Sequence, residues 1–190
     1  MAAGTINSKA ALLSGDPGIG KTTTARLIGA ELNYLISEFN ASDIRNKNGV
    51  GLMESSSFSL DAAKNLQRTL IVMDEVDGMS SGDRGGISAI INMIKHSKVP
   101  IICICNDRSC DKIRSLAGHC LDVRFHKPQK SALVDRIKNI LRAERCSADE
   151  RALNILIDNF QSDIRQILTY LQLVFQTGTR HISMELLKGQ

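Results

Sequence analysis

Short, nearly unbroken apolar runs recur along the first two-thirds of the chain, and each stops abruptly at polar or turn-forming residues. Ala10–Ser14, Leu70–Asp74, Pro100–Cys105 and Leu121–Phe125 are rich in β-branched residues or flanked by turn signals, which predicts buried strands. Tyr34–Asn40 is a fifth strand candidate with weaker patterning. Helical spacing appears between these runs, at Thr22–Leu32, Gly51–Leu66, Arg84–Lys95 and, more briefly, Lys112–Ala117. Strand–helix alternation predicts an α/β core: a parallel five-stranded sheet with helices on both faces. Sheets of this kind bind ligands at the carboxyl ends of their strands.

The pattern changes at Pro128. No alternating strand pattern follows, and apolar residues recur at helical intervals: Leu133, Ile137, Ile140 and Leu141; Leu153, Ile155, Leu156 and Phe160; Ile164, Ile167, Leu168, Leu171 and Val174. Ser131, Ser147 and Ser162 are candidate N-caps, and Gly178 is placed to stop the third helix. The expected organisation is an α/β core over residues 1–127 and a small all-helical lid domain over 128–190.

Composition narrows the class without changing this picture. At 190 residues the chain has ample length to bury a core. The net charge of +4 is shared evenly on either side of Lys127, so no dense basic tail advertises nucleic acid, although DNA contact is permitted. The five cysteines include no CxxC pair, which argues against a zinc site. Cys103 and Cys105 alternate with isoleucines and are expected to be small buried strand residues. Free thiols and no secretory signal predict a reducing intracellular compartment. No apolar run approaches the roughly 20 residues of a membrane span, so no membrane partner is expected.

The chemistry concentrates in two places. Gly15-Asp16-Pro17-Gly18-Ile19-Gly20-Lys21-Thr22 satisfies GxxxxGK[ST] at every fixed position, between a predicted strand and a predicted helix. Glycines let backbone N–H groups turn inward around phosphate oxygens, and the start of a helix adds its partial positive end. Lys21 is then expected to reach the β- and γ-phosphates of ATP, with Thr22 supplying an oxygen to Mg²⁺ and Thr23 as a further nucleotide-binding candidate. Asp16 is anomalous, because it puts a negative charge in a loop built for anions. The second place is Leu70-Ile71-Val72-Met73-Asp74-Glu75, an apolar run ending in two carboxylates. Asp74 is placed to hold Mg²⁺, and Glu75 to polarise the attacking water. The bland alternatives are a chance glycine-rich turn and a solvated acidic turn; the motif context disfavours both. Asn106 and Arg165 are weaker candidates: alone, the first reads more readily as a turn asparagine and the second as a surface charge.

Several segments together resemble the large subunit of replication factor C, the sliding-clamp loader of the AAA+ ATPase superfamily. They are Lys9–Thr24 (KAALLSGDPGIGKTTT), Asn40–Arg45 (NASDIR), Ile71–Met79 (IVMDEVDGM), Asp83–Ile87 (DRGGI), Lys98–Arg108 (KVPIICICNDR), Lys112–Leu116 (KIRSL) and Asp163–Leu168 (DIRQIL). The resemblance implies Walker A at Gly15–Thr22, Walker B at Asp74 and Glu75, sensor 1 at Asn106 and sensor 2 at Arg165. It implies that Asn40 restrains the catalytic glutamate until DNA binds, and that Arg45 and Arg84 face duplex DNA. The implied partners are the replication factor C small subunits, a sliding clamp and primer–template DNA gripped through its phosphates. The implied location is nuclear.

The departures from the family pattern generate expectations of their own. Small subunits carry Ser-Arg-Cys, an arginine finger for a neighbour's ATP, where this chain has Gly118-His119-Cys120, and that favours the large-subunit pattern. Family members usually have proline at the Asp16 position. Only about a dozen residues precede the loop and no collar region follows the helices, so a truncated or divergent form is expected, with altered base recognition and assembly. Hydrolysis by the isolated domain is expected to be weak, since a transition-state arginine normally comes from a partner. Two other readings are a non-catalytic relative that binds nucleotide without turnover, and a small-molecule phosphotransferase, which Glu75 disfavours.

Overall fold

The computed structural model describes residues 8–40, 68–78 and 86–185. The predicted helix Gly51–Leu66, Arg45 and Arg84 lie outside the described residues. The chain divides into two compact units, one comprising residues 1–15 and 20–125, the other 16–19 and 126–190.

The first unit is built on a parallel sheet of five strands: β1 (Ala10–Ser14), β2 (Tyr34–Asn40), β3 (Arg68–Asp74), β4 (Ile101–Cys105) and β5 (Leu121–Arg124). Their spatial order is β2-β3-β4-β1-β5. The chain therefore leaves β1 for the far edge at β2, steps back through β3 and β4, and adds β5 on the other side of β1. The registers bring the carboxyl ends into line, with Ser14 opposite Cys105 and Asn40 opposite Asp74.

Alternation along the strands explains why both faces are apolar. Leu12, Ile71, Met73, Ile101, Cys103 and Cys105 point to one face. They pack there against Ile87, Ile90 and Ile94 of α2 (Gly86–His96) and Ile113 and Leu116 of α3 (Asp111–Ala117). Leu13, Leu70, Val72 and Ile104 point to the other face, with Ala25 of α1 (Lys21–Glu31). A Cβ on Gly29 would lie 2.8 Å from Ile36 Cδ1, so α1 approaches the sheet more closely than a side chain at that position allows. The edge strand β2 is half-buried and pairs with β3.

Several boundaries shift for local reasons. β3 begins at Arg68 rather than Leu70 because the pairing with β2 extends to Tyr34 and Arg68. β4 begins at Ile101, since Pro100 has no N–H for a ladder, although its carbonyl accepts from Ile71 N at 3.1 Å. β5 ends at Arg124, yet Phe125 N still donates to Ser14 O at 2.7 Å.

The second unit contains α4 (Lys130–Ala143), α5 (Glu150–Asn159) and α6 (Ile164–Gln176) around a core that includes Leu133, Ile137, Leu153, Ile157, Ile167 and Leu171. It is not wholly helical. Two-residue strands β6 (Ser147–Ala148) and β7 (His181–Ile182) pair in parallel. Segments this short carry no readable alternation. The three serine caps are also corrected. Ser131 lies inside α4, whose N-cap is Gln129; Ser147 belongs to β6; and Ser162, with φ 66°, precedes the true cap. That cap is Asp163, whose carboxylate accepts from Gln166 N at 3.1 Å. Gly178, with φ 92°, follows the end of α6. Among the described residues no helix is long and apolar enough to cross a membrane.

Candidate functional site

The carboxyl ends of three adjacent strands, β3, β4 and β1, deliver Asp74, Asn106 and Gly15 side by side. The loop after β1 turns on three glycines in conformations that L side chains rarely adopt: Gly15 (φ 149°), Gly18 (φ 71°) and Gly20 (φ 97°). Gly20 caps α1 with no side chain of its own, so the helix starts one residue earlier than its apolar pattern predicts, at Lys21. The first N–H groups of a helix have no partner within it, which leaves them available to an anion.

Lys21 is 6% exposed, an unusual burial for an ammonium group. Its Nζ donates to Gly15 O at 2.7 Å and to Asn106 Oδ1 at 2.8 Å. Thr22 Oγ1 donates to Asp74 Oδ2 at 2.7 Å, while Asp74 Oδ1 accepts from Glu75 N at 2.8 Å. Glu75 has φ 56°, a left-handed conformation that is costly for a residue with a Cβ and recurs at functional sites. Asn40 Nδ2 donates to Glu75 Oε2 at 2.9 Å. Lys21 and Asn106 thus form one hydrogen-bonded group, and Thr22, Asp74, Glu75 and Asn40 a second, the two meeting in sequence at Lys21–Thr22. Thr23 is exposed on α1, and Arg165 is an exposed residue in the first turn of α6, in the second unit.

Asp77 belongs to this cluster and was not singled out by its residue type. It lies in a short 3₁₀ turn, Val76–Gly78, and its Oδ2 accepts from the backbone N–H of both Asn106 and Asp107, each at 2.8 Å. One carboxylate oxygen therefore straps the β4 loop to the β3 loop. The available signal was the second carboxylate two residues beyond Glu75, which reads as part of an acidic turn until the fold brings β4 beside β3. Asp77→Ala is expected to raise amide hydrogen exchange at Asn106 and Asp107 about tenfold with little change in melting temperature, the loss of a charge-assisted bond from exposed amides. Unchanged exchange at both amides would show that the strap holds nothing.

Nearby titrating groups follow their surroundings. Burial, reinforced by Asp77, pushes the Cys105 thiol up to about 11. Cys103, hydrogen-bonded to Cys120 and buried, is raised well above the usual thiol range. Both are therefore neutral packing residues at neutral pH. At the sheet edge the bidentate Arg26–Glu38 pair, at 2.8 and 2.7 Å, lowers the Glu38 carboxyl through its hydrogen bonds to Arg26.

The model of the ATPase family associated with various cellular activities (AAA) matches residues 11–129. The chain is 43% identical over 176 residues to replication factor C subunit 1 of Homo sapiens, covering 87% of this chain and 15% of that protein. It is 46% identical over 180 residues to the Oryza sativa subsp. japonica subunit 1, covering 86% and 18%. The replication factor C large subunit of Pyrobaculum neutrophilum is 33% identical over 188 residues, covering 95% and 43%. The chain spans about a fifth or less of the two subunit 1 relatives and under half of the third. Among solved structures, domain III of the Thermotoga maritima replication initiation protein DnaA matches with a TM-score of 0.67 at 17% identity, covering 95% of this chain and 82% of that one. That likeness shows the shared fold. Fold, loop and sequence relationships converge: this chain belongs to the AAA family of ATPases, and over most of its length it is a relative of the replication factor C large subunits.

Proposed function

We propose that the chain is the ATP-binding and ATP-hydrolysing module of a sliding-clamp loader large subunit, acting in the nucleus at primer–template junctions during DNA replication and repair. The observation that carries the reading is the cluster at the ends of β1, β3 and β4, which brings together a buried lysine, a hydroxyl–carboxylate pair and a strained glutamate. The Lys21 ammonium donates to the Gly15 carbonyl and the Asn106 amide oxygen, and a phosphate is a stronger acceptor than either. The oxygens of Thr22 and Asp74 form the hard donor pair that suits Mg²⁺, which when bound would neutralise phosphate charge. Glu75 is assigned to orient and deprotonate the attacking water, and Asn106 to hold the γ-phosphate or that water. Asn40, donating to Glu75, ties up the base until that bond is released. Arg165, as the family resemblance implies, reads the γ-phosphate, and contacts to DNA are made through phosphates.

Support for the clamp-loader part comes from the large-subunit relatives. The test combines the chain with replication factor C small subunits, a sliding clamp and primed DNA, and measures co-elution and ATP turnover. Co-elution with turnover stimulated by clamp and DNA is the expected result, with the DNA effect weakening as salt rises. Binding of an ATP analogue with no turnover in the full mixture would favour the non-catalytic reading. Failure to associate with the small subunits would overturn the clamp-loader assignment while leaving the nucleotide site standing.

A further inference from the structure

The anomalous residue of the phosphate loop has a partner. Lys127 Nζ lies 3.2 Å from Asp16 Oδ2, both within the second compact unit. The side chains are 43% and 57% exposed, so the pair contributes little to folding. Its consequence must be sought in what it does to a ligand. Both residues immediately precede a proline, Asp16 before Pro17 and Lys127 before Pro128. A residue before proline is restricted to extended backbone, which narrows the directions each side chain can take.

We propose that Lys127 is a positioning residue for nucleotide binding, neutralising Asp16 and holding its carboxylate so that the loop can accept a triphosphate. This rests on the reading of Gly15–Thr22 as a triphosphate cradle. An uncompensated aspartate in that loop repels each phosphate charge, and the repulsion grows with the number of charges on the ligand. With Lys127 in place, the Asp16 charge is balanced by its partner and adds less to the repulsion of an arriving phosphate. Lys127 acts here through Asp16. A lysine that bound phosphate directly would behave differently in one respect: its removal would weaken binding whether or not Asp16 carries a charge.

A double-mutant cycle read by calorimetry separates the two, using AMP-PNP, ADP and AMP as probes with wild type, Lys127→Ala, Asp16→Asn and the double variant. Lys127→Ala is expected to weaken AMP-PNP binding roughly two- to tenfold, with a smaller loss for ADP and least for AMP, and the losses shrink at high salt. Asp16→Asn should bind at least as well as wild type, the double variant should match Asp16→Asn, and Lys127→Arg should restore wild-type affinity. A loss that persists in the double variant would overturn the proposal in favour of direct phosphate contact, and unchanged affinity in Lys127→Ala would overturn it outright. If wild type binds none of the three probes, the cradle reading falls first and this inference with it. Thermal melts of the four proteins, expected to agree within a few degrees, distinguish any folding defect from a binding one.

Discussion

Lys21→Ala is expected to abolish ATP binding, weakening affinity by at least about 100-fold, the equivalent of two charge-assisted hydrogen bonds. Lys21 is buried, and its Nζ donates to the Gly15 carbonyl at 2.7 Å and the Asn106 amide oxygen at 2.8 Å. A phosphate is a charged acceptor, and it holds a buried ammonium more strongly than a carbonyl or amide oxygen does. Stability should respond differently from affinity. Removing the charge relieves a desolvation cost but leaves two acceptors without their donor, and these effects oppose each other at about 1–3 kcal/mol each. The melting temperature of Lys21→Ala should therefore move by only a few degrees while calorimetry with AMP-PNP detects no binding. Normal AMP-PNP affinity in this variant would remove the phosphate loop from the functional account.

The parts of this site that were legible in the sequence are those encoded by contiguous residues. Gly15–Thr22 between a strand and a helix, and an apolar run ending in Asp74-Glu75, each carry their chemistry within a few positions. The five strands were legible because burial on both faces makes β1, β3 and β4 almost purely apolar. The strap from Asp77 was not, because it joins residues 29 and 30 positions apart and depends on β4 inserting between β3 and β1. The Lys127–Asp16 pair escaped for the same reason, a contact made by tertiary structure between two ordinary surface types. The left-handed turn at Glu75 is a backbone property that no side-chain pattern encodes. In the second unit the apolar spacing identified the helices, whereas their first residues were misread. Serine and aspartate are comparably good caps, and the choice among Ser147, Asp149, Ser162 and Asp163 is decided by where the preceding turn ends.

Glu75→Gln should separate binding from chemistry. The substitution keeps side-chain length and shape, and the glutamine Oε1 can still accept from Asn40 Nδ2, so the loop geometry should persist. AMP-PNP affinity is expected to stay within about twofold of wild type, while ATP turnover with small subunits, clamp and primed DNA falls at least about 100-fold, the range for loss of a general base. The backbone sharpens the inference. Glu75 is held at φ 56°, where glycine, asparagine or aspartate would be less strained, at a cost of about 1–3 kcal/mol. Glu75→Gly therefore makes a paired test: it should stabilise the fold slightly by relieving strain and lose turnover as completely as Glu75→Gln. A glycine variant that is more stable and still turns over ATP would mean that the strain at this position serves something other than hydrolysis, and the base would have to be sought elsewhere in the cluster.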